Sequence, residues 1–145
     1  MTSTFRFPQL YLRLALGIDF LIPVADRLGW LGPAGKQGIS WGNWENFITY
    51  TNSLLPFLGR QMASVMGLLA TIAELLIGAF LIFGFKTRVA SYGSFLLTLI
   101  FALCMALFRG VKAPIDYSVF AVSAASLLLA FVPVYYWSFD EGFKG

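Results

Sequence analysis

Asp19 and Glu74 stand near the middles of two apolar stretches, each long enough to cross a bilayer. An acid at the centre of a spanning helix costs about 2.5–3.5 kcal/mol on insertion scales, so such a residue usually faces the protein interior, finds a partner and often marks a substrate or proton path. On the first stretch Arg13 precedes Asp19, and helical spacing turns the two side chains about 120° apart, which rules out a simple pair between them. On the second, Gly67, Ala70, Thr71, Glu74 and Gly78 form one small, polar stripe, a surface that lets helices approach closely in lipid. If the two helices are antiparallel neighbours, a rise of about 1.5 Å per residue puts Asp19 about 15 Å and Glu74 about 13–14 Å from the inner face, with Arg13 about 6 Å up. Arg13, Asp19 and Glu74 are therefore the candidate ligand-binding residues. Either Arg13 pairs with Glu74, or the two acids share a proton, because like charges in a dry site do not both ionise cheaply. The competing reading is an internal ion pair that fixes helix register and binds nothing.

Asp26, Arg27, Arg109 and Asp116, with Lys112 nearby, gather at the opposite ends of the spans and are read as an outer-side polar cluster. Ser91, Ser94, Thr98 and Ala102 make a mildly polar seam, and Asp116, Ser123 and Ser126 another; small hydroxylated seams mean helix packing more often than binding. Cys104 is the only cysteine and histidine is absent, which argues against disulfides, haem held by two histidines, cysteine-ligated iron–sulfur clusters and the usual zinc sites. No metal site and no covalently held cofactor are expected. Any redox chemistry must use a bound small molecule, for which a quinone is the candidate, or a partner subunit.

The elements that must hold these residues follow from composition. The 145 residues are 59% hydrophobic and 12% charged, with a mean hydropathy of +0.78, well beyond an ordinary soluble domain. The expected fold is all-α, one integral membrane domain over residues 1–145. It is a four-helix bundle with spans Gln9–Leu28, Gln61–Phe83, Val89–Phe108 and Tyr117–Trp137, about 20 residues per crossing. Pro23 predicts a kink near Ile18–Asp19. Between the first two spans, Trp41, Trp44, Phe47 or Ile48, and Thr51 or Leu55 fall on one side of a short helix lying at the interface, either lidding a site or only anchoring the chain. The net charge of +3 is scattered, with no basic run to track nucleic acid.

The start, Met1–Pro8, lacks the pattern of a cleavable signal and is expected to be retained. Arg6, Lys86, Arg88 and Lys144 would lie on one face and Arg27, Lys36, Arg60, Arg109 and Lys112 on the other. Lys86 and Arg88, concentrated in the shortest loop, favour both termini inside and Gly29–Gly59 outside.

Leu12-Arg13-Leu14-Ala15-Leu16-Gly17 with Phe20-Leu21 resembles the first-helix pattern of the DoxX family. Ala73-Glu74-Leu75-Leu76-Ile77-Gly78 through Gly84, with Thr87-Arg88, resembles that family's second-helix signature. Matching residues run from about Leu10 to Ala130. The resemblance implies a four-helix protein of the bacterial inner (cytoplasmic) membrane, in a group that includes the small subunit of thiosulfate:quinone oxidoreductase. It touches Arg13, Glu74, Gly78, Gly84 and Arg88. Asp26-Arg27 stands where a lysine often ends the family's first helix, and Asp19 is an additional acid.

Two function classes are carried forward. One is a quinone-interacting or redox-accessory membrane subunit, working beside a soluble oxidoreductase subunit, with Arg13, Asp19 and Glu74 hydrogen-bonding a carbonyl headgroup and managing its proton. The other is a proton-coupled transporter of small molecules. A non-catalytic assembly or scaffold subunit is a third reading, and homo-oligomers are compatible with all three. Beyond these, the bilayer itself is the one partner that composition demands.

Overall fold

A computed structural model describes residues 2–142. Among them the chain is entirely helical apart from its connections. A 3-10 turn (Thr2–Phe5) leads into α1 (Arg6–Arg27), followed by α2 (Trp44–Leu54), α3 (Arg60–Phe83), α4 (Thr87–Arg109), α5 (Lys112–Asp116), α6 (Val119–Ala130) and α7 (Phe139–Gly142). Helices α1, α3 and α4 are long and apolar enough to cross a membrane.

The burial pattern of α3 explains its environment. Ala63, Gly67, Thr71, Glu74, Gly78 and Leu81 are buried, whereas Leu68, Leu69, Ile72, Leu75 and Leu76 are exposed, Leu75 to 50%. Small and polar residues face inward and leucine faces outward, an arrangement stable in lipid and unfavourable in water. The crossing of α1 and α3 lies where Gly17 meets Gly78: a Cβ on Gly17 would come within 3.0 Å of the Gly78 carbonyl, and one on Gly78 within 2.8 Å of Leu21. Gly67 similarly admits Ile48 and Phe47 of α2. Asn43 starts α2 by accepting the Asn46 N–H at 2.8 Å, and the helix buries Phe47, Ile48, Thr51 and Leu54.

The two hydroxylated seams meet between α4 and α6, where Ser94 and Ser126 share a hydrogen bond of 2.6 Å. The packing reading of these seams thus describes what the side chains do. Around them Leu16, Phe20, Leu81, Ala90, Leu129 and Tyr135 form the apolar core.

Boundaries differ from expectation at the fourth apolar stretch, predicted as Tyr117–Trp137. Its helix covers only Val119–Ala130, about 18 Å long. Pro133 disfavours helical backbone at Val132 and brings no N–H, and the Tyr135 hydroxyl donates to the carbonyls of Leu129 and Ala130 at the helix end. At the other end Ser118, at φ 55°, separates α6 from α5. The first stretch starts earlier than expected, at Arg6, and is helical throughout across Pro23.

The C-terminal segment folds back against the α1 start and the turn between α3 and α4. Asp140 caps α4, its two oxygens each accepting a backbone N–H, from Lys86 and Thr87, at 2.7 Å. The described ends of the chain therefore lie at one end of the molecule, and the long loop and α5 at the other. Lys144 lies outside the described residues.

Candidate functional site

Glu74 pairs with Arg27. Arg27 Nη1 lies 2.7 Å from Glu74 Oε2, with the Arg27 side chain 1% exposed. The same nitrogen donates to the Thr71 hydroxyl at 2.7 Å, and Nε donates to the Pro23 carbonyl at 3.2 Å. Above the guanidinium, the Phe47 ring centroid lies 3.9 Å and the Trp41 centroid 5.2 Å from its central carbon, a favourable seat for a desolvated cation.

This corrects the expectation that Arg13 pairs with Glu74. Side chains on a helix lean toward its N-terminus. Taking the Gly17–Gly78 crossing as the reference level, Glu74 sits about 6 Å above it, Arg27 about 15 Å above and Arg13 about 6 Å below. Glu74 leans up and Arg27 leans down, so the two meet; Arg13 leans away.

Arg13 instead donates to the carbonyls of Trp137, at 2.7 Å, and Tyr136, at 3.3 Å. Gln9 also donates to Tyr136, at 2.9 Å, and Arg88 to Val132, at 3.3 Å. These residues satisfy non-helical backbone that lipid could not, the condition for keeping irregular chain at membrane depth. Gly84, left-handed at φ +68°, belongs to the same clamp: a Cβ there would lie 2.8 Å from Arg13 Nη1. Four signature residues read from the sequence, Arg13, Gly84, Thr87 and Arg88, thus converge on residues 132–140.

Asp26 is committed as well. Its carboxylate accepts the backbone N–H groups of Ser40, Trp41 and Gly42 at 2.9, 3.2 and 2.9 Å, drawing the long loop back over the end of α1. The expected cluster of Asp26, Arg27, Arg109 and Asp116 is therefore split. Arg27 turns inward to Glu74, Asp116 pairs with Lys112 on the surface, and Arg109 donates to Ser53 at 3.0 Å while lying over Tyr50.

What the fold does assemble is a cleft of about 800 Å³, open at one side. One wall is α1, through Asp19, Phe20, Pro23 and Asp26, with Glu74 of α3 beside it. Leu97, Thr98, Phe101, Met105 and Arg109 of α4 face them, and Tyr117, Val119 and Val122 close the α6 side. Ile39, Ser40 and Trp41, held by Asp26, form the roof together with Tyr50. Asp19 and Glu74 thus line one space, as their depths predicted, without Arg13. Asp19 has neither an ion-pair nor a hydrogen-bond partner among the described residues, so its carboxylate is left to the cleft. Burial raises the Tyr50 phenol pKa, with the Arg109 guanidinium opposing. Tyr50, Thr98 and Tyr117 were not singled out from the sequence as site residues; only contacts between distant elements reveal them. No group of three or more potential metal ligands occurs among the described residues.

The fold and cleft define a helical membrane protein with an open, acid-bearing cleft. The DoxX family model matches residues 9–108, and the chain belongs to that family. No curated protein and no solved structure matches it.

Proposed function

We propose that this protein is a quinone-interacting membrane subunit in which the cleft receives a lipid-soluble quinone-class ring. The observation that carries this reading is the cleft itself: about 800 Å³, within the size range of small-molecule sites, with aliphatic and aromatic walls and a few convergent polar groups. Phe20, Leu97, Phe101 and Met105 suit an aromatic ring and an isoprenoid tail, while Asp19, Tyr50, Tyr117 and Arg109 supply hydrogen-bonding groups. Electrons pass through the ring and a soluble oxidoreductase partner. In this reading α6 completes a four-helix bundle in the inner membrane, α2 lies at the interface, both termini are cytoplasmic and the long loop is outside.

Transport of organic cations is the weaker reading. Arg109 lines the same cleft and has no carboxylate within ion-pair distance among the described residues, so its charge offsets that of Asp19 toward an entering cation. The test is to extract detergent-purified protein and identify its lipid-soluble content by mass spectrometry. The expected result is quinone enriched well above its membrane share, and enrichment reduced in Val119→Trp, which places an indole in the cleft. Quinone at background level in both proteins would refute the proposal.

A further inference from the structure

The α1 and α4 walls of the cleft, at Asp19 and Thr98, offer hydrogen-bond acceptors. Asp19, an exposed residue, has no ion-pair or hydrogen-bond partner among the described residues. Its backbone carbonyl lacks the i+4 N–H of an ordinary helix, because that position is Pro23 and proline has none. Thr98 spends its hydroxyl hydrogen on the Ser94 carbonyl at 2.7 Å, leaving only lone pairs for the cleft it lines. Glu74, in contact with Arg27 at 2.7 Å, is another acceptor. The side chains able to donate, Arg109, Tyr50, Tyr117, Ser40 and Trp41, belong to the side of the cleft where the long loop and α5 lie.

We infer that the Asp19–Thr98 side of the cleft selects the reduced, hydroxyl-bearing form of the ring, the hydroquinone, over the quinone. A hydroquinone O–H donates to Asp19 or its carbonyl. A quinone oxygen only accepts, and there it would set lone pairs against lone pairs. This rests on the quinone-class reading of the cleft and adds to it the oxidation state and the residue that reads it. Hydrogen bonds to a charged acceptor are among the stronger ones, so the expected preference is about tenfold or more.

The experiment compares binding of one short-chain ring in both oxidation states, under anaerobic conditions, to the full chain in detergent. Wild type should bind the hydroquinone at least about tenfold more tightly. Asp19→Asn, whose amide donates as well as accepts, should bring the ratio close to one by improving quinone binding. Asp19→Leu, which removes the carboxylate without adding a donor, should weaken the hydroquinone and leave the quinone unchanged. Equal affinities in wild type, or an unchanged ratio in both variants, would overturn the inference while leaving ring binding intact. If neither form binds, it is the quinone-class reading that fails. An aliphatic ammonium binding more tightly than either form, in an Asp19-dependent way, would overturn the inference in favour of a cation site.

Discussion

Replacing Glu74 by Gln removes the anion that compensates Arg27 and leaves a guanidinium 1% exposed in the bundle. At a separation of 2.7 Å and an effective dielectric near 20, the gross attraction lost is about 6 kcal/mol. Desolvating both ions offsets much of that attraction in the intact pair. The single substitution recovers only the carboxylate's share of this cost, and the stranded arginine keeps its own. The Thr71 hydroxyl and the Phe47 and Trp41 rings remain, but none carries a charge. The expected loss is about 3–5 kcal/mol, the range for breaking a buried pair from one side. Arg27→Met should cost a similar amount, whereas Arg27→Met with Glu74→Leu should return to within about 2 kcal/mol of wild type, since a well-packed apolar pair replaces a buried ionic one at little cost. Unfolding by a denaturing detergent in mixed micelles, applied to Glu74→Gln and to the cycle of wild type, Glu74→Leu, Arg27→Met and their double variant, gives the coupling energy from the cycle. A Glu74→Gln protein as stable as wild type, or a double variant as unstable as the two singles summed, would refute the pairing.

Gly84→Ala should cost about 1–2 kcal/mol from the left-handed backbone alone, and more from the approach of Arg13 and Ser138. Faster proteolysis between residues 131 and 142 would report the released segment. Asp26→Ala leaves the Ser40, Trp41 and Gly42 N–H groups without their acceptor and should open the roof, shifting tryptophan emission to longer wavelength and exposing residues 29–42 to protease. A cysteine at Gln37, in a Cys104→Ala background, should react with impermeant label in cells stripped of any outer membrane; protection there would reverse the proposed orientation.

Much of this fold was readable from hydropathy and from the spacing of small residues. The stripe from Gly67 to Gly78 faces inward because close helix contact in lipid requires small residues, and period and composition suffice to see that. Depth counting also placed Asp19 and Glu74 correctly in one space. It failed for the arginines because it counted Cα positions and ignored the N-terminal lean of helical side chains, which carries Arg13 away from Glu74 and Arg27 toward it. The early end of α6 had a local signal in Pro133. The clamp formed by Arg13, Gln9 and Arg88 had none, since its acceptors are backbone carbonyls, which no residue type announces. The roof over the cleft likewise depends on three loop N–H groups meeting Asp26, a closure that depends on the path of the chain.

In the proposed function the cleft between α1, α4 and α6 holds a quinone-class ring. The most direct test of that reading is calorimetric titration of the purified chain with a short-chain hydroquinone, beside Val119→Trp shown to unfold at the same detergent concentration as wild type. Saturable binding at one ring per chain is expected in wild type, and weaker binding in the variant. Indistinguishable, non-saturating heats from the two proteins, the signature of partition into detergent, would contradict that reading.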